Sequence, residues 1–323
     1  MRAPDFWRRD QGGPASIVLA PLGWLYAAAG AARWAVARPW RAPVPVICIG
    51  NLVAGGAGKT PVVLDFGKRL IDAGKAVHFL SRGYGGTESG PLLVYPGGHT
   101  SEAVGDEALL LARLAPTWVA ADRKLGVQAA VAAGAEVIIM DDGFQNPSVI
   151  KDLSLIIIDG GYGFGNGRVI PAGPLREPVA GGLSRAHAVV LIGDDRGLDL
   201  PPDHPPVVKA RLQAGPESRV LRGKPVVAFA GIGRPDKFFE TLGDIGCDIR
   251  AAHAFADHHT YTRADLDRLR RQAELEGAQL VTTEKDAVRL PSGHLDAVAT
   301  VAVTLVWDDA AAIAGLLDKV MRQ

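Results

Sequence analysis

Cysteine and net charge are the two things that this sequence has least of. Its 323 residues include two cysteines, and 35 basic side chains balance 35 acidic ones to a formal charge of zero. The isolated Cys48 and Cys247 give neither a disulfide framework nor the paired spacing of a zinc site, and they are typical of a reducing compartment. A neutral chain lacks the basic excess of nucleic-acid-binding proteins, so we expect no nucleic-acid partner. We find no internal repeat and no low-complexity tract.

The strongest motif that is present is a glycine-rich turn between a predicted strand and a predicted helix. Its sequence is Gly55-Gly56-Ala57-Gly58-Lys59-Thr60. Small residues let backbone N–H groups converge on an anion at a helix N-terminus, which is the architecture of a phosphate-binding loop. Lys59 would reach the β- and γ-phosphates of a nucleoside triphosphate, and the hydroxyl of Thr60 would hold Mg²⁺.

The loop departs from the strict phosphate-loop pattern at one position. In that pattern the first glycine stands five residues before the second, which is Gly58 here. This chain has Val53 in place of the first glycine. The alternative is an ordinary glycine-rich turn that carries a surface lysine. Because a strand and a helix flank the turn, we predict a variant loop that binds a nucleoside triphosphate.

Apolar runs alternate with helical patterns from residue 44 onward. We predict strands at 44–49, 76–80, 117–120, 137–140, 155–158 and 188–192, and helices at 61–73, 106–114 and 125–133. Continuous apolar strands that alternate with helices are typical of a parallel sheet covered on both faces. The fold class predicted is therefore α/β, with a parallel sheet of the P-loop NTPase type.

A proline-rich break at 201–206 precedes a second α/β unit. Its predicted strands are 225–230 and 279–282, and its predicted helices are 235–242 and 263–276. Extended runs at 207–212 and 300–306 bracket this unit and would pair as a two-stranded hinge. We therefore predict a phosphate-loop domain over 44–206, a smaller α/β domain with hinge strands over 207–306, and a last helix within 308–323 that returns to the first domain.

The first 43 residues differ from the rest of the chain. They hold six arginines and two aspartates, and residues 15–32 form an uncharged, largely apolar stretch. Tryptophans lie within it and on both sides of it, at positions 7, 24, 34 and 40. That length is at the lower limit for a membrane span, but alanine, glycine and Pro21 dilute its hydrophobicity. Basic flanks and tryptophan favour a helix that lies in the cytoplasmic face of a membrane. A spanning helix and a helix packed on its own domain are the alternatives, and a cleaved signal peptide is disfavoured.

Two adjacent acids follow the predicted strand 137–140. Asp141 and Asp142 would reach the carboxyl edge of the sheet, where the phosphate loop also lies, and carboxylates there suit Mg²⁺. The alternative is a solvated strand end. By spacing alone, Asp106 and Glu107 read as acids that cap a helix N-terminus. Asp257, His258 and His259 match no metal template, although a carboxylate–imidazole pair that tunes a base is equally allowed.

Taken together, these segments resemble the tetraacyldisaccharide 4'-kinases, the lipid A 4'-kinases of Gram-negative bacteria. The resemblance runs from Arg41 to the end of the chain. The blocks that carry it are 55–61, 81–86 (Ser-Arg-Gly-Tyr-Gly-Gly), 105–107 (Gly-Asp-Glu), 141–145 (Asp-Asp-Gly-Phe-Gln), 164–168, 171–177 (Pro-Ala-Gly-Pro-Leu-Arg-Glu), 230–233, 257–258 and 283–288. So many blocks in one order are more specific than a single loop.

The resemblance implies transfer of the γ-phosphoryl group of ATP, with Mg²⁺, to the 4'-hydroxyl of a tetraacylated glucosamine disaccharide 1-phosphate. It implies two α/β domains that close over the nucleotide, and an enzyme on the cytoplasmic face of the bacterial inner membrane. By residue-to-residue match, Asp106 is the general base, His258 of the second domain assists it, and Lys59 serves the nucleotide. The match assigns the metal to Thr60, Glu107, Asp141 and Asp142, and the gripping of phosphates to Arg82, Arg123, Arg168 and Arg176.

The chain departs from the family pattern in places. Family members commonly lack glycine where this chain has Val53, which accounts for the variant loop. They usually have histidine after the block 141–145, where this chain has Asn146, and proline after the block 105–107, where it has Ala108. No histidine can therefore act at position 146. We choose His258 over His259 because the resemblance is weaker at the second position.

Two other functions compete with a lipid kinase. A regulatory NTPase with guanine specificity would carry Asn/Thr-Lys-x-Asp, whereas residues 283–286 read Thr-Glu-Lys-Asp, with lysine and aspartate adjacent. A phosphate-loop ligase for a soluble carboxylate would not need the apolar N-terminal stretch. An acylated substrate explains that stretch better.

Overall fold

The computed structural model describes residues 4–9, 11–291 and 297–322. Its strands are β1 Val46–Gly50, β2 Val77–Ser81, β3 Leu92–Leu93, β4 Thr117–Val119, β5 Val137–Asp141, β6 Leu153–Asp159, β7 Ala188–Ile192, β8 Val207–Ala214, β9 Pro225–Ala230, β10 Asp248–Ala254, β11 Gln279–Thr283, β12 Ala299–Val301 and β13 Val303–Trp307. Its α-helices are α1 Pro14–Val18, α2 Ala20–Val36, α3 Lys59–Asp72, α4 Ser101–Val104, α5 Asp106–Leu111, α6 Arg123–Ala132, α7 Val179–Leu183, α8 Pro235–Ile245, α9 Arg263–Leu275, α10 Glu284–Ala287 and α11 Ala310–Met321. Short 3₁₀ helices lie at Asp5–Trp7 and Pro216–Leu221.

The larger sheet has nine strands in the order β13-β8-β7-β6-β1-β5-β2-β4-β3. Its seven inner strands run parallel, and the edge strands β13 and β3 are antiparallel to their neighbours. Every residue of β1, β5, β6 and β7 is buried, which is why these strands read as continuous apolar runs. The predicted α/β fold with a parallel sheet is confirmed.

The smaller sheet contains the parallel strands β10-β9-β11-β12. Two separate apolar clusters cover it. One contains Phe238 and Leu242 of α8, and the other contains Leu266 and Leu269 of α9. The small sheet is therefore packed on both faces.

The connection between the two sheets differs in part from the expectation. The run at 300–306 is two strands, β12 in the small sheet and β13 in the large one, separated by Ala302. β13 pairs antiparallel with β8, with Val303 opposite Ala214, and the N–H of Gly215 donates to the carbonyl of Ala302 at 2.9 Å. The two connecting segments therefore lie side by side.

Two further differences concern the elements themselves. The helix predicted over 106–114 ends at Leu111, and the predictions omitted β3, α4, α7, β10 and α10. Residues of β10 alternate between exposed and partly buried, so this edge strand lacks the apolar run by which the inner strands were recognised. The last helix, α11, packs Ile313, Leu317 and Val320 into the core of the large sheet.

The N-terminal helices expose an unusual amount of apolar surface. Ile17, Val18, Trp24 and Leu25 are each more than 60% exposed. On the other side of α2, a Cβ on Gly23 would lie 2.8 Å from the carbonyl oxygen of Val169, so glycine permits the helix to pack there. Among the residues that the structure describes, no helix is both long and apolar enough to cross a bilayer.

Candidate functional site

The glycine-rich loop connects β1 to α3 at the carboxyl edge of the large sheet. Gly55 and Gly58 have φ angles of 122° and 82°, a region that side chains other than glycine rarely occupy. The backbone of the loop is tethered at its start, because the N–H of Ala54 donates to the carbonyl of Pro174 at 2.8 Å. Val53 forms a β-bridge with Leu175 and is buried. A side chain at position 53 therefore contributes to the core, which explains why glycine is absent there.

Lys59 begins α3, and its side chain points to the acids at the end of β5. Its Nζ lies 3.7 Å from Oδ1 of Asp142, to which Nη1 of Arg176 also donates at 2.7 Å. Burial acts to raise the pKa of Asp142, but Lys59 and Arg176 outweigh it and hold that pKa below its usual range. The loop lysine, an acid and an arginine thus meet at one point.

Asp141 is the least compensated acid of the site. It is 1% exposed, and neither of its carboxylate oxygens has a hydrogen-bond partner. Burial raises its pKa to about 7, and the negative charge of Glu107 adds to the effect. A buried carboxylate without a donor is suited to a cation.

The donor set at this edge fits Mg²⁺. No group of three or more His, Cys, Asp or Glu side chains within the described residues is close enough to hold a metal by itself. Mg²⁺, however, usually takes only one or two protein carboxylates and completes its six oxygen ligands with water and substrate phosphates. The unpartnered oxygens of Asp141 and the hydroxyl of Thr60 in the first turn of α3 are oxygen donors of this kind.

Asp106 lies at the start of α5 and faces a histidine from the smaller sheet. Its Oδ2 is 3.2 Å from Nδ1 of His258, and Asp106 itself is 2% exposed. His258 has a φ of 57° and donates its backbone N–H to Gly231 at 3.0 Å, which holds the imidazole at this point. The edge of the His258 ring is also stacked against Tyr84, with 5.7 Å between the ring centres. An acid and an imidazole from different sheets therefore form a pair.

Two further cations approach Asp106 from the small sheet. Nζ of Lys285 lies 3.0 Å from Oε1 of Glu107 and 3.9 Å from Oδ2 of Asp106, and Nε of Arg289 lies 3.5 Å from the same Oδ2. Burial acts to raise the pKa of Asp106, but His258, Lys285 and Arg289 together hold it below its usual range. Asp106 is therefore ionised at neutral pH.

Arg289 is a site residue that the sequence analysis missed. It is buried and donates to the carboxylate of Asp286 at 2.9 Å and to the carbonyl of Gly231 at 3.0 Å. Its only sequence signal was the nearby block 283–288. His259, the alternative to His258, lies 3.3 Å from Oδ2 of Asp265 at the start of α9 and so pairs away from Asp106.

The four arginines named from the sequence lie in different places. Arg176 is at the phosphate loop, as described above. Arg123 is buried in the first turn of α6 and donates to the carbonyl of Ala120. Its pKa is lowered, chiefly by burial and then by the charge of Arg82, and the nearby Asp142 and Asp141 only partly oppose this. Arg82 is exposed. Arg168 is exposed and donates to the carbonyl of Ser16 in α1 at 3.4 Å, so it lies against the N-terminal helices.

Asn146, the departure from the family pattern, has a structural partner. Its Oδ1 accepts hydrogen bonds from the backbone N–H and the hydroxyl of Ser148, at 2.9 and 2.6 Å. The preceding Gln145 donates to Glu177 at 3.0 Å and to the carbonyl of Asn51 at 2.9 Å. Asn146 thus closes a turn, and Gln145 supports the strand-to-loop junction.

Comparisons with known proteins agree with this geometry. The LpxK family model, described as tetraacyldisaccharide-1-P 4'-kinase, matches residues 15–322. Proteins named tetraacyldisaccharide 4'-kinase from Paramagnetospirillum magneticum and Gluconacetobacter diazotrophicus are 55% and 54% identical to this chain. The first match covers 99% of both chains, and the second covers 98% of both.

A solved structure is similar over the same length. The crystal structure of LpxK from Aquifex aeolicus in complex with ATP superimposes with a TM-score of 0.78 at 27% sequence identity, covering 95% of this chain and 99% of that one. Sequence, family model and fold thus agree over nearly the whole molecule. The chain belongs to the tetraacyldisaccharide-1-P 4'-kinase family.

Proposed function

We propose that this protein transfers the γ-phosphoryl group of ATP to the 4'-hydroxyl of a tetraacylated disaccharide 1-phosphate in lipid A biosynthesis. The observation that carries the proposal is the pairing of Asp106 with His258 beside a phosphate loop whose lysine meets Asp142. A phosphoryl transferase needs a cation for the phosphates and a carboxylate for the acceptor hydroxyl. Both are present here on helices that pack against the larger sheet, and the histidine that pairs with the carboxylate comes from the side of the smaller sheet.

Asp106 is the general base of this proposal. A sugar hydroxyl has a pKa far above that of a carboxylate, and the pKa of Asp106 is lower than usual. Asp106 therefore accepts the proton late, as the bond between the acceptor oxygen and phosphorus forms. Most of the lowering of the barrier then comes from positioning of the reactants and from neutralisation of the phosphate charge.

His258 and the phosphate loop have complementary roles. The imidazole holds the orientation of the Asp106 carboxylate and can take up a proton from it, since Nδ1 and Oδ2 are 3.2 Å apart. Lys59, together with the backbone N–H groups of residues 55–60, holds the β- and γ-phosphates. Arg176 keeps Asp142 in place by donating to the same carboxylate oxygen that Lys59 approaches.

Mg²⁺ is the cation that we propose for the nucleotide. Asp141, Thr60 and the neighbouring Glu107 and Asp142 are the residues that would hold it. When bound, the ion would neutralise charge on the phosphate oxygens. Asp142 is less available than Asp141, because Arg176 and Lys59 already compensate its charge.

We propose further that α1 and α2 lie on the cytoplasmic face of the inner membrane. Their exposed apolar side chains include Trp24 and Leu25, and the flanking segments of the first 43 residues are rich in arginine. An amphipathic surface of this kind binds the headgroup region of anionic bilayers. It would bring the site to a substrate whose acyl chains stay in the bilayer.

The direct test is phosphoryl transfer in detergent. Purified protein, Mg²⁺, γ-labelled ATP and tetraacyldisaccharide 1-phosphate are incubated, and label on the 4' position of the lipid is measured. We expect transfer by the wild type and a loss of at least about a hundredfold for Lys59→Ala. Lys68→Ala, in the same helix but exposed, is the matched control and should keep its rate. Hydrolysis of ATP without labelled lipid would instead support a regulatory NTPase.

A further inference from the structure

A second charged contact joins the two sheets, away from Asp106. Asp159 is the last residue of β6, and its Oδ2 lies 2.8 Å from Nη1 of Arg234 and 2.6 Å from Nζ of Lys237. Arg234 immediately precedes α8, and Lys237 lies in its first turn. The other carboxylate oxygen of Asp159 accepts the N–H of Gly161 at 2.9 Å.

The two charged contacts lie on opposite sides of the phosphate loop. In the large sheet β6 is next to β1 on one side, whereas β5 and then β2 follow β1 on the other side. The loop continues from β1, Asp159 ends β6, and α5, which carries Asp106, packs against β2. The small sheet is therefore attached to the large one on both sides of the nucleotide-binding loop.

Asp159 depends on its partners from the small sheet. It is 8% exposed, and a buried carboxylate is costly unless cations compensate it. Burial acts to raise its pKa, but Lys237 and Arg234 outweigh this and hold the pKa below its usual range. The two cations are each more than one-third exposed, so the acid is the constrained member of the contact.

A short backbone path leads from this contact to His258. The carbonyl of Gly231, three residues before Arg234, accepts the backbone N–H of His258 at 3.0 Å and also the side chain of Arg289 at 3.0 Å. The same loop lies over the nucleotide site, since a Cβ on Gly233 would be 3.8 Å from the backbone nitrogen of Gly56. The place of Arg234 thus fixes a loop that contacts both His258 and the phosphate loop.

We propose that Asp159 is a positioning residue for phosphoryl transfer. By holding Arg234 and Lys237, it fixes the segment 231–234, and through that segment it keeps His258 at Asp106. This inference rests on the proposed function for its kinetic test and on the fold alone for its structural test.

The kinetic test compares Asp159→Asn with Asp152→Asn. Asp152 immediately precedes the same strand, at its other end. Its side chain is 11% exposed, compared with 10% for Asp159, and it pairs with Arg41, which does not belong to the small sheet. We expect Asp159→Asn to lower kcat about tenfold, because fewer molecules hold His258 in place. The KM for ATP should change less than about twofold, since the phosphate loop belongs to the other sheet. Asp152→Asn should keep both constants.

Two double variants show whether Asp159 acts through the proposed path. In a Lys237→Met background, Asp159→Asn should add little further loss, because the two residues make one contact. In a His258→Ala background its effect on kcat should likewise shrink to less than about threefold. A loss of the full tenfold in the His258→Ala background would overturn the proposal, because a merely structural defect multiplies with any other.

A structural measurement separates this inference from the proposed function. Hydrogen–deuterium exchange of the wild type and Asp159→Asn is followed over residues 231–245 and 255–259, in the absence of substrate. Faster exchange confined to these segments supports the contact even if the lipid is not phosphorylated. Exchange equal to that of the wild type would refute it.

Folding of the variants is checked by thermal unfolding. If Asp159→Asn does not fold, Lys237→Met and Arg234→Gln carry the same tests, since both side chains are partly exposed. A rise in the KM for ATP in these two variants, with no effect of Asp159→Asn, would mean that the cations contact the nucleotide directly. That result would overturn the role given to Asp159.

Discussion

Replacing Asp141 with asparagine should make the protein more stable and less active. The pKa of this buried acid rises from 3.8 to about 7, first because of burial and then because of Glu107. Between these two pH values the folded protein holds a proton that the unfolded chain has released. Asp141 therefore contributes its full stability below pH 3.8, and that contribution is lost as the pH rises through 7.

The size of the effect follows from the width of that pH window. Slightly more than three pH units correspond to a loss of about 4 kcal/mol above pH 7, of which about half is already lost at pH 5.5. Asparagine keeps the shape of the side chain without its charge. For a chain of this length, the melting temperature of Asp141→Asn should exceed that of the wild type by about 6 °C at pH 8.5 and by about 3 °C at pH 5.5.

The assay is thermal unfolding without nucleotide or Mg²⁺ at the two pH values, together with lipid phosphorylation at pH 8. We expect Asp141→Asn to lose at least about a hundredfold in kcat, because it lacks the proposed carboxylate for Mg²⁺. Asp152→Asn, which removes an acid paired with Arg41, should not gain stability at either pH. A melting temperature of Asp141→Asn that is no higher than that of the wild type at pH 8.5 would refute the reasoning.

Three further predictions concern the base, the arginine and the membrane surface. Asp106→Ala should lose most turnover, about a hundredfold or more, while the affinity for ATP measured by equilibrium titration changes less than about threefold. In Arg176→Ala, Lys59 remains as the partner of Asp142. Because Asp142 then competes with the phosphates for this lysine, the affinity for ATP should fall about tenfold in the same titration. Trp24→Ser combined with Leu25→Ser should weaken sedimentation with anionic vesicles about tenfold. Leu275→Ser, at an even more exposed apolar position in α9, should not change it.

The inner strands of the large sheet were predictable because burial on both faces leaves a continuous apolar run. β1, β5 and β7 lie within two residues of their predicted bounds. β10 was missed because an edge strand needs no such run. The sequence predicts a single strand over 300–306, because nothing in its composition marks the change of sheet at Ala302.

The site was predictable to the extent that a sheet brings its carboxyl edge together. This rule led to Asp141 and Asp142 after β5, next to the loop that follows β1. The same rule would have led to Asp159, an acid at the end of the apolar strand β6. It could not lead to Arg289, because the approach of that residue to Asp106 depends on how the small sheet is placed, which no local pattern encodes.

The small sheet is an insertion into a β-hairpin, because the chain leaves β8, forms the small sheet and returns as β13, which pairs antiparallel with β8. Ala214 and Val303 face each other in register, so a two-residue turn of the Asn-Gly kind would span the distance that residues 215–302 now take. None of the nine strands of the large sheet comes from this insertion. His258 and Lys285 are thus carried on an insertion between β8 and β13, and replacing residues 215–302 by such a turn would keep the order of the nine strands while removing both side chains.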